Sequence, residues 1–356
     1  MDTVKVKRES KNKIKVDFER APLRERLKQR FLSINFLTKV VFVIFRTVLL
    51  IGITFIILYP YIKKILSSVM SISDIKDATV ILISKNPTPD QYWYILTQNG
   101  YLKAFITTFL VSLSVALIQT LVCALVAYGL AKFKFKGNAI VFGFVIMTLM
   151  IPQDALKNSM DAWFRQITLF ETTLNPISFI LKPLQEWFGF FENGYGFSNS
   201  IIPLYILSIF GLGFKNGLFI FMLRQFFKGV PDELEESAFV DGSSTLRTFF
   251  SIIIPISIPM LVTVFIFAFS WQWTDDFYTN LFLAQDDSSL TLMKHIAVTP
   301  PAIKEMLKNE VSNIASAYEV AILGTASILI ALPLIIAYVF LQRRIVEGVE
   351  RSGIVG

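Results

Sequence analysis

The stretch that decides the fold is Val230–Pro259, V-P-D-E-L-E-E-S-A-F-V-D-G-S-S-T-L-R-T-F-F-S-I-I-I-P-I-S-I-P, a polar island between two long apolar segments. Pro231 suits a helix start, and the acidic residues after it complement the helix dipole. Asp241-Gly242 stops that helix, because glycine tolerates the left-handed conformation of a sharp stop. Ser243–Thr245 can cap a second helix, which Pro255 interrupts. The stretch therefore predicts a compact pair of short helices that another protein could bind.

The same residues carry a resemblance to a known family. The pattern E-A-A, a glycine further on and then I-x-L-P resembles the permease subunits of binding-protein-dependent ABC importers. It stands here as Glu236–Ala238, Gly242 and Ile252–Pro255, with Ser237 where alanine is usual. The resemblance implies that these helices are a coupling loop, which docks into a cytoplasmic ATPase. The residues implied to couple to the ATPase are Glu233, Glu236, Ser237, Ala238, Asp241, Gly242 and Pro255.

The wider resemblance points to the carbohydrate-uptake branch, and within it to the second maltose-type permease subunit. It includes N-P-T-P-D-Q-Y at Asn86–Tyr92, A-Y-G-L-A-K-F-K-F-K-G at Ala127–Gly137 and L-Q-R-R at Leu341–Arg344. The partners it implies are a second homologous permease, two ATPase subunits and an extracytoplasmic solute-binding protein. ATP and Mg would then be held by the ATPase subunits. No cofactor is expected on this chain, because no G-x-x-x-x-G-K-[ST] loop occurs in it.

Composition independently indicates an integral membrane protein. The 356 residues are 54% hydrophobic and only 17% charged, below the roughly 25% that is typical of soluble domains. Several apolar runs reach the ~20 residues that cross a bilayer. A single cysteine, Cys123, and a single histidine, His295, give no basis for a disulfide, a metal site or a catalytic set.

The positive charge is interpreted as a membrane signal rather than a nucleic-acid signal. Residues 1–39 hold twelve Lys/Arg against five Asp/Glu, which predicts a basic cytoplasmic tail beside the anionic inner surface. Residues 40–345 are predicted to form the permease domain, with the coupling loop at 229–255. Residues 346–356 are predicted to be a cytoplasmic C-terminal tail.

An all-α fold with six transmembrane helices is expected, with the coupling loop between helices four and five. Basic loops fall on one side under this count, so both termini should face the cytoplasm of a bacterial cytoplasmic membrane. The predicted spans are Val40–Tyr61, Ala104–Ala131, Ala139–Leu156, Ile201–Phe227, Ile256–Leu283 and Ile314–Leu341.

Residues 161–200 are expected to be an extracytoplasmic insertion, since the resemblance implies a shorter connection there. Two interpretations stay open for this aromatic-rich segment. It is a loop that folds on itself beside the membrane, or it is a platform for the binding protein or a long substrate.

Polar residues within the spans are the candidates for a sugar path, because they need a cavity or a partner in the membrane. Aromatic rings suit the C–H faces of sugars, and Asp, Gln and Asn suit their hydroxyls. The alternative for the span-five cluster is an interfacial aromatic belt. For Lys215 the alternatives are an acidic partner such as Asp276, or a break in span four at Gly211–Gly213. The candidate path residues are Trp271, Gln272, Trp273, Asp275, Asp276, Tyr278, Asn280, Lys215 and Asn216.

There are three alternatives to a sugar importer. An ABC permease for a non-sugar solute shares the coupling pattern, and the sugar-branch stretches argue against it. A secondary transporter would carry an internal inverted repeat, and none is clear in the sequence. A membrane-embedded enzyme would need a nucleophile or a metal set, which the sequence lacks.

Overall fold

The computed structural model describes residues 4–9, 13–18, 34–166, 201–283 and 292–353. The chain divides into two compact units, Met1–Leu66 and Ser67–Gly356. Most of the predicted insertion, residues 167–200, lies outside the described residues, as do residues 354–356 of the predicted C-terminal tail.

The first unit contains strands that the all-helical prediction did not include. β1 (Val4–Glu9) pairs antiparallel with β2 (Lys13–Phe18), with Val4 opposite Phe18. Apolar and charged residues alternate over residues 4–7 and over Lys13–Phe18, which is the two-residue period of a strand. The long helix α1 (Ile34–Ser67) follows and ends at the start of the second unit.

The described residues of the second unit form helices joined by turns and loops. Residues Phe249–Ile253 form a π-helical turn between two short α-helices, and Met293–Ile296 form a 3-10 turn. The α-helices, in chain order, are α2 (Ile72–Lys76), α3 (Asp90–Gln98), α4 (Tyr101–Lys132), α5 (Asn138–Met150), α6 (Gln153–Gln166), α7 (Ile202–Ile209), α8 (Asn216–Lys228), α9 (Glu233–Val240), α10 (Thr245–Thr248), α11 (Ile254–Ile256), α12 (Ile258–Trp273), α13 (Phe277–Phe282), α14 (Pro301–Leu307) and α15 (Ser312–Gly353).

Three described helices are long and apolar enough to cross a membrane: Thr38–Ser67, Tyr101–Lys132 and Ser312–Val346. Two bent pairs raise the number to as many as five if each is one span. Asn138–Met150 and Asp154–Met160 meet at 102°, and Thr245–Ile256 and Ile258–Trp273 meet at 83°. The chain is thus a multi-helix membrane protein, and the count of six spans stays a prediction.

The predicted fourth span is two helices rather than one. α7 ends at Ile209, α8 begins at Asn216, and the residues between them turn through left-handed conformations at Gly211 (φ +71°) and Lys215 (φ +59°). A Cβ on Gly213 would come within 2.5 Å of the Gln119 side chain, so a larger residue there would require that side chain of α4 to move. The alternative of a break at Gly211–Gly213 is therefore confirmed.

Helix α4 lies at the centre of the second unit and packs against both α8 and α12. Its buried face carries small residues at helical spacing, including Ala104, Ala116, Ala124 and Ala127. Small residues let helix backbones approach closely, which matters in lipid because burial alone does not drive helices together there.

The two ends of α4 are held by different clusters. At the Lys132 end, Tyr128 packs in a group with Phe227 and Phe249. At the Tyr101 end, Phe105 makes an edge contact with Trp273. Helical rise separates Phe105 from Tyr128 by about 35 Å, so the coupling loop and the end of span five lie at opposite ends of the bundle.

Candidate functional site

The predicted coupling loop folds as a helix, a tight turn and a second helix. α9 ends at Val240, and Gly242 takes a φ of +80°, so the amide of Ser243 can bond the carbonyl of Ala238 over 2.9 Å. The Ser244 hydroxyl accepts a bond from the amide of Arg247 and caps α10. The predicted glycine stop and serine cap are both confirmed.

The prediction that Pro255 interrupts the second helix is wrong. Helical structure runs from Thr245 to Ile256 through the π-helical turn, and the 83° bend follows at Ser257. Proline is tolerated in the first turn of a helical segment, and Pro255 occupies such a position in α11. The hydroxyl of Ser257 donates to the carbonyl of Ile253 over 2.6 Å, and the same carbonyl also accepts the Ser257 amide over 3.0 Å.

The coupling loop is fastened to the end of α4 by a buried polar network. Glu235 is buried, and its Oε2 accepts a hydrogen bond of 2.8 Å from the Tyr128 hydroxyl. Lys132 Nζ lies 3.1 Å from Glu235 Oε1 and also donates to Asp232 Oδ1 and the Val230 carbonyl, each over 2.6 Å. The hydrogen bond from Lys132 holds the pKa of Asp232 below its usual range. These contacts therefore join the loop to the end of α4.

The outward face of the loop mixes charge with exposed apolar side chains. Val240 is 87% exposed and Leu246 63% exposed, in a turn whose inward face is already packed. Exposed apolar side chains in a cluster rimmed by polar residues mark a protein contact. Of the predicted coupling residues, Ala238 is buried, and the exposed ones are Glu233, Glu236, Ser237, Asp241, Gly242 and Pro255.

Trp273, a candidate path residue, joins three helices. Pro333 lies inside α15 and has no N–H to bond the carbonyl of Leu329. The Tyr101 hydroxyl donates to that carbonyl over 3.3 Å, and Trp273 Nε1 donates to the neighbouring carbonyl of Ile330 over 3.0 Å. Trp273 is buried, so in this conformation it stabilises the bundle and presents no surface to a solute.

Trp271 and Tyr278 belong to a separate aromatic group. Trp271 stacks on Phe219 and Phe267, and Phe214 makes edge contacts with both Trp271 and Tyr278. The group lies beside the break between α7 and α8, since Phe214 belongs to that break. The structure therefore separates Trp271 from Trp273.

Gln272 and Asp275 border a cavity of about 10 Å3 together with Ser112, Thr279 and Lys294. A cavity of that size holds about one water molecule and no sugar ring. Both oxygens of Asp275 are occupied, because they accept bonds from the amides of Tyr278 and Thr279 and from the Thr279 hydroxyl. Asp275 thus caps α13.

The suggested pairing of Lys215 with Asp276 is wrong. Lys294 Nζ lies 3.8 Å from Asp276 Oδ1 and donates to Asn280 Oδ1 over 2.5 Å. Lys215 is exposed, and its ammonium lies 5.3 Å from the centre of the adjacent Phe214 ring. The break in span four, with Lys215 at the start of α8, places this charge at the surface.

Asn216 is the buried polar residue of that break. It is 1% exposed, and neither its Oδ1 nor its Nδ2 has a hydrogen-bond partner among the described residues. Gln119 Nε2 lies nearby and contacts the Ser208 hydroxyl over 3.4 Å. A buried amide without a hydrogen-bond partner is costly, so Asn216 is an energetically unfavourable point of the break.

Comparison with known proteins identifies the family. The family described as "Binding-protein-dependent transport system inner membrane component" matches residues 120–351, more than half of the chain. The chain belongs to this family. The match covers the coupling loop, the break in span four and α15.

Curated relatives of this inner membrane component are permease proteins of named sugar transport systems. The alpha-glucoside permease AglG of Rhizobium meliloti is 27% identical over 76% of this chain, which covers only 60% of AglG. The trehalose permease SugB of Mycobacterium tuberculosis is 27% identical over 80% of this chain and 87% of SugB. The arabinooligosaccharides permease AraQ of Halalkalibacterium halodurans is 26% identical over 85% of this chain and 93% of AraQ.

A solved structure shares the fold. It is a bacterial ABC transporter involved in the import of the acidic polysaccharide alginate. The likeness has a TM-score of 0.59 at 18% sequence identity and covers 86% of this chain and 97% of that chain.

Several residues of the site were not foreseen from the sequence. Tyr128 and Lys132 stood out only as members of the resembling stretch Ala127–Gly137, although they hold the predicted coupling loop. Gln91, within N-P-T-P-D-Q-Y, is fully buried, donates to the carbonyl of Met70 over 2.9 Å and accepts from the Thr325 hydroxyl over 2.7 Å. Such pairings join residues far apart in sequence, so no local pattern reports them.

Proposed function

We propose that this chain is the transmembrane subunit of an ATP-driven importer that carries a sugar or oligosaccharide across the bacterial cytoplasmic membrane. The observation that carries the proposal is the coupling loop. Its inner side is fixed to α4 by Tyr128 and Lys132, while its outer side exposes Val240 and Leu246. A loop held in this way can transmit a displacement caused by a bound partner to the central helix α4.

The substrate class is supported by the relatives and by the sequence. AglG, SugB and AraQ are named for alpha-glucosides, trehalose and arabinooligosaccharides. The stretches Asn86–Tyr92 and Leu341–Arg344 resemble the carbohydrate branch. Within the chain, the half-buried Trp271 beside the break in span four is the proposed path residue, whereas Tyr278 and Asn216 are as buried as Trp273 in this conformation. Trp273 and Asp275 have structural roles in this conformation.

The partners follow from the same proposal. Two ATPase subunits would bind ATP and Mg. They would contact the coupling loops of this chain and of a second, homologous permease. A solute-binding protein would deliver the sugar from outside. Transport would then occur through a cavity between the permeases, and this chain would catalyse no reaction.

Six spans with cytoplasmic termini remain the proposed topology. It is supported by the basic residues that lie with the coupling loop at one end of α4. Lys132 contacts the loop directly, and Lys134 and Lys136 follow it. The segments around α3 and α14 belong to the other end, where Asn99 Nδ2 bonds the carbonyl of Val298 over 2.8 Å.

The test is solute uptake in the native cell. The chromosomal gene is replaced by the wild-type or the Gly242→Val sequence, and uptake of labelled trehalose, an alpha-glucoside, maltodextrin, phosphate and a dipeptide is measured. We expect loss of at least one sugar with phosphate and dipeptide unchanged. Loss of phosphate or dipeptide alone would favour the non-sugar importer. Uptake that survives ATP depletion but not collapse of the ion gradient would favour a secondary transporter.

A further inference from the structure

A basic cavity lies beside the coupling loop and takes no part in it. It has a volume of about 790 Å3 and lies between the end of α4, the start of α5 and the end of α8. Lys134, Lys136, Lys228 and Arg224 are its basic lining residues.

The three lysines of the basic cavity are free to bind a ligand. All three are exposed, and none forms an ion pair among the described residues. Asp232 is the carboxylate whose pKa Lys134 helps to lower, but the hydrogen bond to that group comes from Lys132. Lys132 forms ion pairs with acidic residues of the coupling loop, whereas Lys134, Lys136 and Lys228 form none among the described residues.

Arg224 adds a buried cation to the basic cavity. It is only 9% exposed, and its guanidinium carbon lies 3.7 Å from the centre of the Phe142 ring. Its Nε donates to the Leu130 carbonyl over 3.2 Å, and its terminal nitrogens have no hydrogen-bond partner among the described residues. A desolvated guanidinium with unused donors is matched best by the oxygens of a phosphate.

Apolar side chains flank these charges. Phe133, Phe135 and Ile140 are 44%, 47% and 66% exposed, and all three line the basic cavity. A soluble phosphate ester or an acidic protein surface gains no binding free energy from these apolar side chains. A phospholipid matches both parts, since its headgroup meets the cations and its acyl chains cover the apolar side chains.

We propose that the basic cavity binds the headgroup of an anionic phospholipid of the inner leaflet. Basic pockets between membrane helices on the cytoplasmic side recognise such headgroups. The assignment to the inner leaflet rests on the proposed function, which places the coupling loop in the cytoplasm. Binding of the lipid itself does not depend on the solute or on the ATPase.

The experiment is a lipid titration of the full chain, purified in neutral detergent with the subunits it retains and followed by native mass spectrometry. Phosphatidylglycerol is compared with phosphatidylcholine of the same acyl chains. The test variant is Lys134→Gln/Lys136→Gln/Lys228→Gln. The matched control is Lys103→Gln/Lys157→Gln/Lys304→Gln, which removes three exposed lysines outside the cavity.

We expect the wild type and the control to prefer phosphatidylglycerol, and the test variant to bind it at least about tenfold more weakly, because each surface lysine contributes to attraction of anionic lipid. Inorganic phosphate at 10 mM, used as a competitor, should leave the lipid bound. Equal binding by the test and control variants, or equal binding of both lipids, would overturn the proposal. Displacement by phosphate would identify a free-phosphate site instead. Failure of either kind leaves the sugar-uptake result untouched, so the two proposals fail separately.

Discussion

Glu235 Oε2 accepts a hydrogen bond from the Tyr128 hydroxyl over 2.8 Å, although 107 residues separate the two in the chain. The bond links the first coupling helix to the central helix α4. Because Glu235 is buried while the adjacent Glu236 is exposed, the pair of acids has two different tasks. Glu235 holds the loop to this chain, and Glu236 faces outward.

Glu235→Gln should loosen the coupling loop. The amide can keep the bond to Tyr128 but loses its charge beside Lys132, so we expect a loss of about 1–3 kcal/mol in the free energy of unfolding. Tyr128→Phe should cost about 1 kcal/mol, and because Glu235→Ala removes the same bond, the double variant of Tyr128→Phe with Glu235→Ala should cost less than the sum of those two single variants. Thermal unfolding of the purified chain measures these changes. Ser237→Ala is the control and should be nearly neutral, because that hydroxyl is exposed and, within the described part of the chain, bonds only the Leu234 carbonyl. Full additivity would contradict a direct contact.

Gly242→Ala should strain the turn without any clash. An added Cβ would meet no atom within 4 Å, yet φ is +80°, so the cost of about 1–2 kcal/mol is conformational. Gly242→Asn should be milder, since asparagine tolerates this region. Gly129→Ala is the matched control, with equal space and no positive φ, and should not destabilise. The measurement is ATP hydrolysis per sugar transported, which should rise for Gly242→Ala. Equal ratios for Gly242→Ala and Gly129→Ala would exclude strain at the turn.

Trp273→Phe should lower thermal stability more than Trp271→Phe does. Phenylalanine keeps most of the ring contact with Phe105 but cannot donate to the Ile330 carbonyl, which lies in the turn loosened by Pro333. We expect a cost of about 1–2 kcal/mol at Trp273. Trp271→Phe keeps its stacking with Phe219 and should instead change sugar uptake per assembled complex. If Trp273→Phe changes sugar uptake and Trp271→Phe lowers thermal stability, Trp273 lies in the path and Trp271 has the structural role.

His295 should make stability depend on pH. Its Nδ1 accepts a bond of 3.0 Å from the amide of Leu292, and burial lowers its pKa below the ordinary value near 6.5. The imidazole is neutral when it makes this bond. Its contribution is therefore present above pH 6.5 and is lost as pH falls through the lowered value. It is the single histidine of the chain. The fall in melting temperature between pH 7.5 and pH 5.5 should be smaller in His295→Gln. An equal fall in melting temperature in both proteins would show that His295 does not cause the pH dependence.

Local patterns in the sequence predicted the turn and the cap of the proposed coupling loop, whereas its coupling role stays a prediction. Its stop at Gly242 and cap at Ser244 depend on neighbouring residues only, and the structure has both. The prediction at Pro255 failed because the proline lies in α11, just after the π-helical turn Phe249–Ile253, and the chain bends at Ser257 instead.

Path residues were harder to predict, for a physical reason. Density of polar and aromatic residues in span five indicated a sugar route, but Trp273 and Asp275 are used to bond a carbonyl of α15 and to cap α13. Composition cannot distinguish a side chain that faces a solute from one that satisfies a distant backbone group. The break at Gly211–Gly213 was open to prediction, whereas its unpartnered Asn216 was visible only in three dimensions.

The central claim is that the turn after α9 docks on a cytoplasmic ATPase, and cross-linking at Val240 tests it most directly. Val240→Cys places a thiol on the most outward side chain of the loop, and the native Cys123 is buried. Intact native cells are treated with a membrane-permeant bifunctional thiol reagent, and the tagged chain is purified and its adducts identified by mass spectrometry. We predict a covalent adduct with a nucleotide-binding chain for Val240→Cys and none for Ile81→Cys, an exposed residue that belongs to the opposite end of the bundle. Modification of Val240→Cys by an impermeant reagent in intact cells, with no ATPase adduct, would contradict the account.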